Sequence, residues 1–148
     1  MRFIFTTSDS LASKAIRAAE GGEPSHVGIV TPDGDVIDST FRYGGVKVWG
    51  KDHWLSLDDR RVVSDITFNT PNDAAGYDWL YRQLHKPYDT LGLLGMAFWR
   101  DMGEEDKWWC SEIALFTALN AGRSLAGRNR RMGVRPLMEI SYAWAGQG

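Results

Sequence analysis

Residues 25–40 read SHVGIVTPDGDVIDST, two short apolar runs joined by a tight turn. The turn has Pro32 where a type I turn favours proline, and Gly34 where the chain enters the left-handed region. Together they predict a hairpin with a three-residue Pro-Asp-Gly loop and a bulge. The flanking runs, 26–30 and 36–40, are apolar and bounded by turn residues, as expected of two paired strands.

The length of this loop decides which side chains share a face of the sheet. A three-residue loop pairs Gly28 with Asp38 and makes His26 a diagonal neighbour of Asp38, about 7–8 Å away at the backbone. A two-residue loop of residues 33–34 would place the two side chains on opposite faces. Gly28 would leave room for the imidazole to lean towards the carboxylate. The turn therefore predicts a His26–Asp38 pair.

The chain contains one cysteine, Cys110, near the start of an apolar segment. Asp106 is in position to cap a helix over residues 107–121, which places Cys110 in or near its first turn. Free N–H groups and the positive end of a helix dipole stabilise a thiolate there and could receive the oxyanion of an acyl transfer. A thiolate, a histidine and a carboxylate form the papain-type arrangement. The sequence predicts Cys110 as nucleophile, His26 as its base and Asp38 as the group that orients the histidine.

Three segments of the chain match motifs of one superfamily. The hairpin of residues 25–38, KPYD at 86–89 and WCSE at 109–112 resemble the histidine hairpin, the Gly-x-Pro-Tyr segment and the Asp-Cys-Ser-Gly motif of NlpC-type papain-like enzymes. In that superfamily a polar residue twelve positions after the histidine completes the triad, which is the position of Asp38. Ordinary members place cysteine before histidine. The order here is inverted, as in the circularly permuted branch that includes lecithin:retinol acyltransferase-like enzymes and bacterial permuted amidases.

This resemblance implies a permuted papain-like fold of α+β class, with an antiparallel sheet packed against helices. It implies a cysteine hydrolase that cleaves an amide or peptide bond through a thioester acyl-enzyme, with peptidoglycan peptide in cell-wall material as one substrate class. Tyr88 would lie beside Cys110 and assist the oxyanion or position the substrate. Two alternatives stay open: an acyltransferase or lipid esterase of the lecithin:retinol acyltransferase type, and a non-catalytic binding domain on the same fold. No metal or cofactor is implied.

The remaining segments predict a single α+β domain over residues 1–148. Further strands are expected at 2–6, 46–49 and 61–68, and helices at about 9–20, 70–84, 91–99 and 136–144. The helix at 9–20 has Ser8 or Asp9 as its expected cap. The order is one helix, a cluster of strands and then helices.

Composition limits the classes of partner and location. The net charge of −2 gives no reason to expect nucleic acid as a partner. No apolar run has the length of a signal peptide core or a membrane span, so the expected location is cytoplasmic. A phage-encoded or separately exported protein would fit the same sequence. A single cysteine excludes an intrachain disulfide, and the oligomeric state is left open.

Other polar residues also have functional and ordinary interpretations. His53 and His85 lack a partner in sequence and are expected to be surface or loop residues. The histidines and the cysteine show none of the short spacings of a zinc site. The stretch from Arg123 to Arg135 holds five arginines and no acidic residue, which is typical of a solvated loop or of a site for an anionic group. It has no aromatic residue for base stacking.

Overall fold

The computed structural model describes residues 1–90, 106–125 and 132–147. Five antiparallel strands form one sheet in the order β4-β3-β2-β1-β5. They are β1 (Arg2–Thr7), β2 (His26–Val30), β3 (Val36–Thr40), β4 (Gly45–Trp49) and β5 (Arg61–Thr67). The helices of the described ranges are α1 (Leu11–Glu20), α2 (Lys51–Ser56), α3 (Asp73–Tyr81), α4 (Cys110–Asn120) and α5 (Val134–Ala145). The predicted α+β class is confirmed, and the predicted helix at 91–99 lies outside the described residues.

The hairpin between β2 and β3 has the predicted register. Ile29 pairs with Ile37, which is the pairing that a three-residue loop requires. Gly34 has a φ of +90°, in the region that glycine adopts without steric cost. The Thr31 N–H donates to the Asp35 carbonyl at 2.8 Å and closes the loop.

The two faces of the sheet are covered by different helices. Successive side chains of a strand point to opposite faces, so Phe3 and Phe5 of β1 face one way and Ile4 the other. The first face packs against α3, α4 and α5 and forms the main core. The second face is covered by α2, whose Trp54 is fully buried against Ile4 and its neighbours. Strand β2 is therefore covered on both sides, as its continuous apolar run predicts.

Several helix boundaries differ from the predicted ones. Helix α2 was not predicted, because it has only six residues and its cap, Gly50, makes no side-chain capping bond. Helix α1 is capped by Ser10 rather than by Ser8 or Asp9, since the Ser10 side chain accepts from the Ser13 N–H at 3.2 Å. None of the helices in the described ranges is both long and apolar enough to cross a bilayer.

Contacts with distant segments explain two further boundaries. Helix α3 ends at Tyr81, short of the predicted residue 84, because the chain turns there towards β4 and the His85 N–H donates to the Val46 carbonyl at 3.0 Å. Helix α5 begins at Val134, two residues before the predicted start. Its first N–H groups donate to the carboxylate of Glu20 at 3.0 and 2.7 Å, an acidic cap that comes from another helix.

Candidate active site

The imidazole of His26 and the carboxylate of Asp38 are in direct contact. His26 Nε2 lies 2.7 Å from Asp38 Oδ2. The imidazole is 17% exposed and the carboxylate fully buried. The side chains meet because the hairpin register puts them on the same face, as predicted. The space beside Gly28 has a different use from the expected one: a Cβ there would clash with the side chain of Val36 and lie 2.7 Å from the indole of Trp54, so these two side chains fill the space.

Asp38 accepts hydrogen bonds from three further side chains that sequence reasoning did not identify. Trp49 Nε1 donates to Oδ1 at 2.9 Å, and Trp54 Nε1 to Oδ2 at 2.6 Å. Arg60 Nη1 donates to Oδ2 at 3.2 Å. Burial alone would raise the pKa of Asp38, but the hydrogen bond and charge of His26, together with Arg60 and Trp54, lower it below its usual value. Asp38 is thus an ionised group at neutral pH, held in one orientation.

One of these partners could have been found from the sequence. Pairing of β3 with β4 sets Val36 opposite Trp49, and side chains two positions apart on a strand share a face. Trp49 is therefore a diagonal neighbour of Asp38 once the second hairpin is placed. Trp54 and Arg60 give no such signal, because they lie between β4 and β5, in α2 and in the turn after it, where strand pairing does not place them.

Cys110 is the first residue of helix α4, and its side chain is buried at 4% exposure. The predicted cap at Asp106 is wrong: the cap is Trp109, and Asp106 lies in a turn with a φ of +67°. The reason is that Trp108 is extended and its N–H donates to the Pro87 carbonyl at 3.1 Å, which keeps this segment out of the helix. Cys110 therefore occupies the helix terminus itself, where backbone N–H groups lack intrahelical acceptors.

The Cys110 thiol and the His26 imidazole line the same cavity, and the charge of each acts on the other. Burial lowers the pKa of His26 and the charge of Arg60 lowers it further. The negative charge of Cys110 and hydrogen bonds to Cys110 and Asp38 outweigh both and raise the pKa of His26 to about 9. Since Nε2 contacts Asp38, Nδ1 is the nitrogen left to exchange a proton with the thiol. The structure thus brings together all three residues predicted for the triad.

Tyr88 lies beside this group. It forms a parallel bridge with Trp108, so the segment that carries it runs next to the one that leads into Cys110. Burial, followed by the negative charges of Cys110 and Asp89, raises the pKa of Tyr88 well above its ordinary value. Its hydroxyl therefore stays protonated and able to donate. A role towards an oxyanion or substrate stays a prediction.

A cavity of about 270 Å³ gives access to these groups. Its inner wall includes Cys110, His26, Tyr88 and Arg60. Its outer part includes the exposed ring of Phe41, whose centroid is 6.1 Å from that of Tyr88. The thiol of Cys110, the imidazole of His26 and the protonated phenol of Tyr88 thus border one cavity.

The other sequence candidates lie apart from the cavity. His53 and His85 are exposed, as predicted. Arg123 lies over the ring of Trp144, with its guanidinium carbon 5.9 Å from the ring centre, and Arg135 donates to the Gly21 carbonyl at 2.7 Å, so both support the fold. Arg128, Arg130 and Arg131 lie outside the described residues. In the part of the chain that is described, no three His, Cys, Asp or Glu side chains are grouped to hold a metal ion.

Comparison with known proteins does not assign this chain to a family. The chain matches no protein-family model, and no curated protein matches it. Its function is therefore inferred from the site itself.

The indole N–H group of Trp54 is expected to contribute to the stability of the folded protein. Trp54→Phe keeps an aromatic ring on the second face of the sheet but removes one donor to the buried Asp38. We expect a loss of about 1–3 kcal/mol in the free energy of unfolding, because a hydrogen bond to a charged group is lost. Urea denaturation of the wild type and the variant measures this loss. Trp79→Phe is the matched control, since Trp79 packs against the Trp108 ring and has no contact with Asp38.

Proposed function

We propose that this protein is a cysteine hydrolase of permuted papain-like type that cleaves an amide or peptide bond. One observation carries the proposal: the Cys110 thiol, at a helix terminus, lines the same cavity as an imidazole that a buried carboxylate holds, and the charge of Cys110 raises the pKa of that imidazole. This pairing of nucleophile, base and orienting group supports acyl transfer. The motifs at 86–89 and 109–112 support the permuted papain-like assignment.

In the proposed reaction the Cys110 thiolate attacks the carbonyl carbon of the substrate. The carbonyl π electrons move to oxygen, and the backbone N–H of Cys110 and the Tyr88 hydroxyl donate to that oxyanion. When the tetrahedral intermediate collapses, the C–N bond breaks and His26 gives its proton to the leaving nitrogen. A thioester to Cys110 remains.

Water then completes the reaction. His26, now neutral, takes a proton from the attacking water, and hydroxide adds to the thioester carbonyl. Collapse of the second intermediate breaks the C–S bond and releases the acid, which regenerates the thiolate beside the imidazolium. Asp38 keeps the imidazole oriented through both steps, as expected of the third member of a triad. Peptidoglycan peptide is one substrate class that this chemistry would serve.

Alkylation of Cys110 tests the proposal without knowledge of the substrate. The chain has one cysteine, so the mass increase from iodoacetamide reports that residue alone. The pKa of about 9 for His26 keeps the imidazole charged at pH 6, where it stabilises a thiolate. We expect alkylation at pH 6 to be at least about tenfold faster than that of a free thiol, which is mostly protonated there.

Two histidine variants test whether fast alkylation of Cys110 depends on His26 in particular. His26→Ala should lower the rate at pH 6 to that of an ordinary thiol or below, because the imidazolium is lost. His85→Asn is the control, since His85 is exposed with a φ of +70° and asparagine tolerates that conformation. If wild-type Cys110 reacts no faster than a free thiol, or if His26→Ala leaves the rate unchanged, the proposed function is wrong.

A further inference from the structure

Arg60 is a buried cation next to the candidate triad. Its side chain is 5% exposed. Its guanidinium lies over the ring of Trp54, with the central carbon 4.5 Å from the ring centre, and Nη1 donates to Asp38 Oδ2. Among the hydrogen bonds between described residues, the guanidinium makes this one alone. Arg60 and His26 thus contact the same carboxylate oxygen from two sides.

Most of the hydrogen-bonding capacity of Arg60 is directed elsewhere. A guanidinium carries five N–H donors in a planar fork, and only one of them is used on Asp38. Asp38 Oδ2 already accepts from His26 and Trp54 as well, so the carboxylate has little capacity left. None of the Arg60 nitrogens is a buried atom without a hydrogen-bond partner, so the donors not used on Asp38 are accessible. The part of Arg60 that is accessible borders the same cavity as Cys110.

The other charged side chains around the cavity face an opposite charge. At the outer part of the cavity, Arg42 and Asp58 form an ion pair with each other, and the Arg42 side chain is 70% exposed. The charge of His26 is opposed by Cys110 and Asp38. Arg60 lies over the ring of Trp54 and donates to Asp38, so it would lose little conformational freedom when it binds a ligand. A planar fork fixed in this way matches the two oxygens of a carboxylate.

From these contacts we infer that Arg60 is a carboxylate-binding subsite within the active-site cavity, and that the substrate carries a carboxylate close to the bond that Cys110 attacks. This inference rests on the proposed function, since it assigns a substrate class to the same site. Arg60 then has two roles: one donor holds Asp38, and the remaining donors bind the substrate.

Two alkylating reagents of nearly the same size distinguish the subsite from general reactivity. Iodoacetate carries a carboxylate, whereas iodoacetamide is neutral, and each forms one S–CH₂ bond to Cys110 with loss of iodide, leaving a carboxymethyl or a carboxamidomethyl group on the sulfur. We expect the ratio of the iodoacetate rate to the iodoacetamide rate to be roughly tenfold higher for Cys110 than for a free thiol. Arg60→Met should bring the ratio down to the free-thiol value. Arg61→Met is the matched control, because Arg61 is an exposed neighbour that pairs with Glu23.

A competition experiment on the wild type covers the case in which Arg60→Met fails to fold. Propionate should slow alkylation by iodoacetamide at concentrations where neutral propionamide does not. The subsite is overturned if the iodoacetate-to-iodoacetamide rate ratio of wild-type Cys110 equals that of a free thiol. It is also overturned if propionate and propionamide slow the alkylation equally. An Arg60→Met variant that loses both rates equally would overturn it as well, since Arg60 would then act only through Asp38. Fast alkylation of the wild type by iodoacetamide leaves the proposed function standing in each of these outcomes, whereas slow alkylation of the wild type by both reagents contradicts the proposed function itself.

Discussion

Replacing Cys110 by alanine should reduce the hydrolysis of amide and ester substrates to the uncatalysed rate, a loss of about 1000-fold or more. The variant loses the only sulfur nucleophile of the chain, and no thioester can form. Alanine fills most of the volume of this buried side chain, so we expect the free energy of unfolding to change by about 1 kcal/mol. A panel of fluorogenic aminoacyl amides and p-nitrophenyl esters measures the first effect, and thermal unfolding measures the second.

Cys110→Ser provides the comparison variant for this experiment. Serine retains the shape of the side chain but is a far weaker nucleophile without a strong base, so its activity should also be near the uncatalysed rate. Hydrolysis by Cys110→Ala at the wild-type rate would show that the cavity acts without the thiol. In Cys110→Ala the pKa of His26, followed by NMR of the imidazole, should fall below the wild-type value, since the negative charge and hydrogen bond of Cys110 are gone.

Asp38→Ala should reduce stability and activity together. It leaves the buried guanidinium of Arg60, the indole N–H groups of Trp49 and Trp54 and one nitrogen of His26 without their acceptor. Removing one partner of a buried ion pair costs about 3–5 kcal/mol, which urea denaturation at pH 7 measures. The imidazole also loses its orientation, and we expect kcat/KM to fall by about 100-fold or more.

The stability that Asp38 contributes should depend on pH in the acid range. Its pKa is lower in the folded protein than in the unfolded chain, so the stabilisation is present above the unfolded pKa of about 4. It is lost as the pH falls through the folded value. The stability difference between the wild type and Asp38→Ala should therefore shrink on acidification below about pH 4.

Asp38→Asn separates the charge of the carboxylate from its shape. Asparagine keeps one acceptor oxygen but presents an NH₂ donor to a group of donors, so it should lose activity while retaining more stability than alanine. Asp35→Asn, on the same hairpin but exposed, is the control and should match the wild type. If Asp38→Asn folds and keeps the wild-type kcat/KM, Asp38 does not orient the base.

Local sequence predicted one half of the site. Pro32 and Gly34 determine the loop, the loop determines the register of β2 and β3, and the register puts His26 and Asp38 on one face. Each step involves residues that are neighbours along the chain, so short-range backbone preferences are enough. The exposure of His53 and His85 followed from the same kind of local reasoning.

Long-range contacts determine the other half of the site, which consists of Cys110 and Tyr88. The helix that carries Cys110 starts later than predicted because Trp108 pairs with the segment of Tyr88, about twenty residues earlier. That pairing moves Cys110 from within the first turn to the helix terminus. It also places Tyr88 next to Cys110, which the motif at 86–89 had only implied by resemblance.

The sequence alone determined the His26–Asp38 pair, because a tight turn transmits register over a few residues without help from the rest of the chain. The groups that surround that pair come from long-range packing. Cys110 reaches it because helix α4 packs on the sheet, and Trp54 and Arg60 reach it because α2 and the turn after it cover the other face. Such contacts depend on packing between segments far apart in sequence, which no local pattern encodes.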